Sequence, residues 1–229
     1  MGLLDSLLGR TKPVRANLDA LFALPSAAVT LQTAAGLVSS GHAGVCWKPP
    51  AGQGVADLQR EISQLLEIDD TGHEFDAAGD ATSTVGSATA DPATESTPSP
   101  APSTPTSVGE LTQAEDEYGY RWLLLEDDQI DDLVTRVHLV NTTLTEAGWG
   151  PQLLCSVFGF NPAADAGSDV RPIYLVYLYK RGTFYPFAPS GKQQRDTEYE
   201  LRVRGILGVD LPVETDLTRW FPLWDLPVR

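Results

Sequence analysis

The feature that most constrains this chain is a central segment, residues 69–116, that contains ten acidic residues and no lysine or arginine. Within it, residues 77–107 are almost entirely Ala, Thr, Ser, Pro, Gly and Asp, and Val85 is the only aliphatic residue larger than alanine. Such a composition cannot bury enough apolar surface to offset the entropy that is lost on ordering. The sequence therefore predicts a long disordered linker, acidic and rich in Pro, Ser, Thr and Ala.

The linker also explains most of the charge of the chain. The 229 residues include 31 acids and 16 bases, a formal charge of −15, and outside the linker 21 acids and 16 bases remain, a net charge of −5. A protein that binds nucleic acid over its surface needs a basic stripe that displaces counterions from phosphates. We therefore expect no nucleic-acid partner.

The sequence carries no clear targeting signal. No apolar run approaches the roughly 20 residues that cross a bilayer, and the start of the chain lacks the pattern of a signal peptide. Cys46 and Cys155 are too few for a disulfide framework, and their apolar neighbours predict two buried small side chains. We expect a cytoplasmic protein, or one that lies peripherally at the inner face of the cell membrane.

The hydrophobic pattern on both sides of the linker predicts a mixture of strands and helices. Before the linker we expect strands at 27–33 and 44–48, and an amphipathic helix with its stripe at 58–66. The elements expected after the linker are a strand at 120–125, a helix at 130–147, strands at 152–160 and 173–179, and a helix at 196–207. The aromatic tail at 219–224 is expected to pack on the body.

This order predicts an α+β fold, a two-layer sandwich in which a mixed β-sheet carries helices on one face and is interrupted by the linker. The two sides of the linker are expected to form one domain. Its predicted parts are a short amphipathic N-terminal helix at 1–15, a first half at 16–68 (β-β-α), the linker at 69–116, and a second half at 117–229 (β-α-β-β-α and the tail).

No residue pattern identifies a catalytic, cofactor or metal site. His138 and Cys155 are the pair that could suggest a nucleophilic site, but a catalytic cysteine needs a partly exposed, electropositive position, and Cys155 is expected inside a strand. The three histidines are far apart in sequence, and no Cys or His pair has the spacing of zinc ligands. We expect a protein that is not an enzyme and has neither a metal nor a cofactor.

The most distinctive stretch, residues 179–189, places two cations and four aromatic residues around a glycine and two prolines. Two interpretations are open. A rigid loop could bind a partner through its basic and aromatic groups, or a structural turn could fill the edge of the sheet with its rings. Under the first interpretation the partner-binding residues are Lys180, Arg181, Phe184, Tyr185 and Phe187.

A second candidate contact lies at the N-terminus. Leu3, Leu4, Leu7 and Leu8 form a compact apolar face, which basic residues follow. A short helix of this kind could lie on a membrane surface, dock on a partner helix or cover the protein's own core.

Four stretches of the chain together resemble one known family. They are residues 1–32, 139–160 (LVNTTLTEAGWGPQLLCSVFGF), 177–189 (YLYKRGTFYPFAP) and 219–224 (RWFPLW). They closely resemble PspAB, a PspA-associated protein of actinobacteria and haloarchaea, and this chain is similar to the actinobacterial type. The resemblance covers essentially everything except the linker, where the family is expected to have a shorter loop.

The resemblance implies a cytoplasmic accessory to the phage-shock, or envelope-stress, response, in which PspA is a peripheral membrane protein. Members tend to be encoded near HtpX, a membrane zinc metalloprotease, so the implied partner is a PspA-type or an HtpX-type protein. The resemblance implies no catalytic residues.

Three functions are open on this basis. The first is a non-enzymatic adaptor that acts by protein–protein or membrane-surface contact. The second is a regulator or substrate-delivery factor for an HtpX-type protease. The third is a small-molecule binder or an enzyme of unrecognised type, which would need a polar pocket that gathers His138, Arg181 and Tyr185.

Overall fold

The centre of the architecture is a six-stranded β-sheet. The computed structural model describes residues 17–48, 112–116, 119–208 and 210–228, so the predicted N-terminal helix, the helix at 58–66 and the linker up to residue 111 lie outside the described residues. In chain order the described elements are a 3₁₀ turn Leu18–Ala23, α1 Leu24–Ala35, β1 Leu37–Trp47, β2 Thr112–Glu115, β3 Arg121–Glu126, α2 Ile130–Leu144, β4 Leu153–Pro162, β5 Ile173–Leu178, β6 Thr183–Phe187, β7 Pro189–Gly191, β8 Gln194–Arg195, α3 Thr197–Leu207 and a 3₁₀ turn Leu217–Arg219.

The strands of the main sheet lie in the order β2-β3-β1-β4-β5-β6, and each neighbouring pair is antiparallel. A parallel bridge between Phe184 and Val213 adds the C-terminal chain to the free edge of β6, so the sheet is mixed at this edge. Helices α1, α2 and α3 cover one face of the sheet. The predicted α+β fold is therefore confirmed.

Helix α1 replaces the first predicted strand. Leu24, Ala27 and Leu31 are buried at helical spacing, whereas the β-branched Val29, which favoured a strand, lies on the exposed side. By length and composition the stretch Leu18–Ala35 could also cross a membrane, but in this structure its buried residues pack against the sheet in the main core. The strand prediction was wrong because the two periodicities are hard to distinguish in a short apolar run.

Helix α2 forms where the sequence predicted a helix with a buried stripe. Leu133 and Val137 are buried against the sheet. Asn141 is also buried, and its Nδ2 donates a hydrogen bond to Oγ of Ser156 on β4 at 2.9 Å. The buried amide therefore ties the helix to a central strand without leaving its donor unpaired.

One edge strand lies inside the segment predicted as linker. β2 pairs with β3 from Thr112 to Glu115, whereas the predicted linker continued to residue 116. The sequence TQAE has no apolar alternation, so its pattern does not indicate a strand. It pairs because the edge of β3 offers backbone groups that need partners.

The second face of the sheet is covered by the C-terminal segment, residues 210–228, and we call it the tail face. Trp220 and Val228 are buried there in a core cluster of their own, which confirms that the aromatic tail packs on the body. Gly44 on β1 makes the close approach possible, since a Cβ at this position would lie 2.7 Å from the Val228 side chain.

A buried ion pair joins the helix layer to the C-terminal segment. Glu200 on α3 is fully buried, and the Arg195 guanidinium contacts its carboxylate through Nε at 2.9 Å and through Nη2 at 2.7 Å. Nη1 of Arg195 donates to the carbonyl oxygen of Trp220 at 2.7 Å. The backbone N–H of Ala188 donates to the same carboxylate at 2.8 Å, so the pair holds three parts of the chain together.

We expect the substitution Glu200→Gln to lower the free energy of unfolding by about 3 kcal/mol, because it leaves Arg195 without a counter-charge in a largely buried position. The matched control is Asp169→Asn, which breaks the exposed Arg202–Asp169 pair at 3.2 Å and should cost less than about 1 kcal/mol. Urea denaturation followed by tryptophan fluorescence measures both. Equal losses would contradict the structural role of the buried pair.

Candidate functional site

A cavity of about 560 Å³ opens on the tail face, between the sheet and the C-terminal segment. Its size lies within the range of small-molecule and peptide-anchor sites. The lining is mostly apolar, and the groups with distinctive chemistry are Cys46, Cys155, Trp122, Tyr185, Asp116 and Phe221. We call it the tail-face cavity.

Strand alternation brings residues from several strands to this cavity. Cys46 faces the tail, whereas Trp47 beside it faces the helices, because successive side chains point to opposite faces. The pairing of β1 with β4 shifts register after Cys46, so that Trp47 pairs with Leu153 and Leu154 has no opposite residue on β1. This bulge brings Leu154 and Cys155 to the cavity as neighbours.

The two cysteines meet in the cavity wall. Cys46 on β1 and Cys155 on β4 are directly opposite each other in the antiparallel register, and both are buried and reduced. A hydrogen bond with Cys155 raises the pKa of the Cys46 thiol far above its usual range, and burial and the charge of Asp116 raise it further. The Cys46 thiol therefore stays protonated near neutral pH.

One end of the cavity is polar. The Asp116 carboxylate accepts a hydrogen bond from the Tyr120 backbone N–H at 2.9 Å and from Trp122 Nε1 at 3.4 Å. The Nζ atom of Lys48 lies 4.6 Å from the centre of the Tyr120 ring. These contacts hold Asp116 and Tyr120 beside the end of β1.

The C-terminal segment forms the roof of the cavity and rests on Tyr185. The Trp220 ring stacks on the Tyr185 ring with centroids 5.9 Å apart, and the Tyr185 hydroxyl donates to the carbonyl oxygen of Phe221 at 2.8 Å. Trp224 packs edge-on against Phe187 at 5.5 Å. Between these contacts Phe221 is 58% exposed, so much of its ring faces solvent at the cavity.

The turn between β5 and β6 carries the two predicted cations near the roof. Lys180 and Arg181 are exposed, and Arg181 Nε contacts the buried carboxylate of Glu214 at 3.2 Å. The Glu214 carboxylate also accepts hydrogen bonds from the Thr183 hydroxyl at 3.2 Å and from the Asp216 N–H at 3.1 Å. Burial acts to raise the pKa of Glu214, but these partners outweigh it and hold the pKa below its usual range.

The structure separates the predicted partner-binding residues into two groups. Lys180 and Arg181 are available to a partner. Phe184, Tyr185 and Phe187 are not on a loop but in strand β6, where each is almost completely buried. The prediction that these rings contact a partner directly is therefore corrected: Phe184 packs with the helix layer, and the other two support the roof.

The remaining sequence predictions concern the N-terminal leucine face, the polar pocket and metal binding. The face formed by Leu3, Leu4, Leu7 and Leu8 lies outside the described residues. The polar pocket around His138, Arg181 and Tyr185 does not form, because His138 packs against Phe22 in the helix layer while Tyr185 faces the tail. Among the described residues, no group of three His, Cys, Asp or Glu side chains is placed to hold a metal ion.

Sequence reasoning missed the cysteine pair and Asp116. Each cysteine was expected to be buried, and both are, but no local signal indicates that they face each other. Asp116 was assigned to the linker, and its role at the cavity depends on the pairing of β2 with β3.

Comparison with known families identifies the chain. Residues 1–84 and 102–228 match the family described as PspA associated protein B. The chain belongs to the PspAB family. The unmatched residues 85–101 fall within the predicted linker, and no curated protein and no solved structure matches the chain. The PspAB name associates its members with PspA, which fits a PspA-linked accessory role for this chain.

For the cysteine pair of this PspAB protein, we expect the rate at which iodoacetamide alkylates Cys46 to level off at a lower pH in the Cys155→Ala variant than in the wild type. The reason is that the substitution removes the hydrogen bond that contributes most to the raised pKa of Cys46. Mass spectrometry of the Cys46 peptide measures the alkylation rate across the pH range in which both proteins stay folded. A wider cavity alone would raise the rate by the same factor at every pH, so parallel pH profiles would contradict the assignment.

For Glu214, the sign of the pH dependence follows from its lowered pKa. Its carboxylate stabilises the folded state above the pKa of the unfolded chain, and this contribution is lost as the pH falls through the lower folded-state value. We therefore expect the wild type to lose more free energy of unfolding than Glu214→Gln between about pH 5 and pH 2. Parallel curves from urea denaturation of the two proteins would exclude this role.

Proposed function

We propose that this PspAB protein is a non-enzymatic adaptor in the PspA-linked response to membrane stress, and that it acts by direct contact with a PspA-type protein at the tail-face cavity. The observation that carries the proposal is the open apolar cavity whose roof exposes Phe221. The family association with PspA supplies the identity of the partner.

The cavity has the features of an anchor site for a side chain of a partner protein. Binding energy in protein interfaces concentrates in aromatic residues that lie near a pocket and lose water on contact. Phe221 lines the cavity and is 58% exposed. A partner that inserts one apolar side chain into the cavity would bury the Phe221 ring.

Basic side chains near the roof favour a partner with acidic groups beside its apolar anchor. Lys180 and Arg181 are exposed on the β5–β6 turn, and Arg219 lies in the C-terminal segment. Glu214 contacts Arg181 at 3.2 Å and Arg219 at 4.0 Å, and Asp216 contacts Arg219 at 3.2 Å, so these three bases and two acids carry a net charge of +1. Charges that are held in place in this way mainly orient the partner and raise its association rate, and they contribute less to the affinity.

The other two functions, and the membrane-surface form of the adaptor, stay hypotheses. Regulation of an HtpX-type protease would use the acidic linker as a recognition or cleavage segment, and most of the linker lies outside the described residues. Membrane-surface contact depended on the leucine face at the N-terminus, which also lies outside them. The small-molecule hypothesis loses its polar pocket but keeps the apolar cavity.

We expect Phe221→Ala to weaken binding to the PspA protein of the same cell by about tenfold or more, as for an interface hot spot. The matched control is Phe22→Ala, because Phe22 is 49% exposed on the helix layer and should not touch the partner. Isothermal titration calorimetry with the full chain measures both constants.

The double variant Lys180→Ala with Arg181→Ala is expected to reduce the association rate and its dependence on salt. Two outcomes distinguish the parts of the proposal. Equal binding by the Phe221 and Phe22 variants would reject the cavity as the contact site. No binding of PspA by the wild type would reject the adaptor function itself.

A further inference from the structure

The chain contains two cysteines, and the fold brings both to one place. Cys46 and Cys155 are 109 positions apart in sequence, yet they are direct partners in the β1–β4 register. Both side chains face the tail and line the tail-face cavity. A role as small apolar groups would account for the burial of each cysteine, but it would not account for their position opposite each other.

The geometry of this pair suits a disulfide bond. Facing residues of an antiparallel pair have Cα atoms about 4.5 or 5.5 Å apart, and disulfides require a Cα separation of about 4.4–6.8 Å. The two thiols already lie within hydrogen-bonding distance of each other. A bond between them therefore needs side-chain rotation and no movement of the strands.

We propose that Cys46 and Cys155 form a peroxide-responsive modification site that closes reversibly into a disulfide between β1 and β4. In the first step one cysteine gives its proton to solvent and, as its thiolate, attacks a peroxide oxygen: an S–O bond forms, the O–O bond breaks, and the departing oxygen takes up a proton and leaves as water or an alcohol. In the second step the other thiol attacks the sulfenic sulfur, the S–S bond forms and water leaves. Two thiols are oxidised by two electrons, and the peroxide is reduced.

The surroundings decide how this site responds. Cys46 and Cys155 are only 3% and 6% exposed, so an oxidant has to reach them from the cavity that they line. The thiolate is the reactive form, so the raised pKa of Cys46 slows attack by this thiol, and the site responds to sustained oxidant. The neighbouring thiol then captures the sulfenic acid before further oxidation. In a reducing compartment, a disulfide of this kind is transient and typical of a sensor.

The test treats the folded full-length protein with hydrogen peroxide and then counts thiols. We expect both thiols to disappear together, the protein to keep the oligomeric state of the untreated sample, and dithiothreitol to restore both thiols. Peptide mapping without reductant should show one cross-linked product that joins the Cys46 and Cys155 peptides. Dimedone should label Cys46 in the Cys155→Ser variant and Cys155 in the Cys46→Ser variant, and it should label almost nothing in the wild type.

Several results would overturn the proposal. One is retention of both thiols at a peroxide excess that oxidises the urea-unfolded chain. Another is independent oxidation of each cysteine to sulfinic acid, and a third is a disulfide between two molecules. The wild-type measurements decide the question even if a serine variant fails to fold. None of these outcomes depends on PspA, so the modification site and the proposed adaptor function are tested separately.

Discussion

The structure depends on one constraint, namely that its central sheet is apolar on both faces. On β4, Phe158 faces the helices and Val157 faces the tail, and on β5 Leu175 and Val176 divide in the same way. A sheet of this kind must be covered twice, because each exposed apolar face would cost free energy in water. The three helices cover one face, so the C-terminal segment has to cover the other.

The tail-face cavity is a consequence of how that second cover is made. A helix presents a continuous apolar stripe, but the C-terminal segment contacts the sheet at separate points, at Trp220, Trp224 and Val228. Polar contacts fix these points, since Arg195 binds the Trp220 carbonyl and Tyr185 binds the Phe221 carbonyl. The space between the points is the cavity, and its position over the cysteine pair follows from the same arrangement.

Much of the fold could be predicted, and the errors have physical reasons. Helix α2 was predicted correctly because apolar residues on one face and polar residues on the other give its sequence a clear helical periodicity. The aromatic stretch at β6 stayed open between a loop and a turn that fills the edge of the sheet, because a strand that is apolar on both faces shows no alternation. In the structure Lys180 and Arg181 lie exposed on the turn before β6, and Arg181 contacts Glu214. The candidate site was not predicted, because its residues come from six separate parts of the chain.

By itself the sequence determined the family, the α+β class, the acidic central segment and the burial of each cysteine, because composition and local periodicity carry that information. Only the tertiary structure decided that Cys46 faces Cys155, that Glu214 holds Arg181, and that Phe221 stays exposed. The physical reason is register: a shift of one residue in the β1–β4 pairing would turn one cysteine to the other face of the sheet. That register is set by contacts among residues more than 100 positions apart, which no local pattern records.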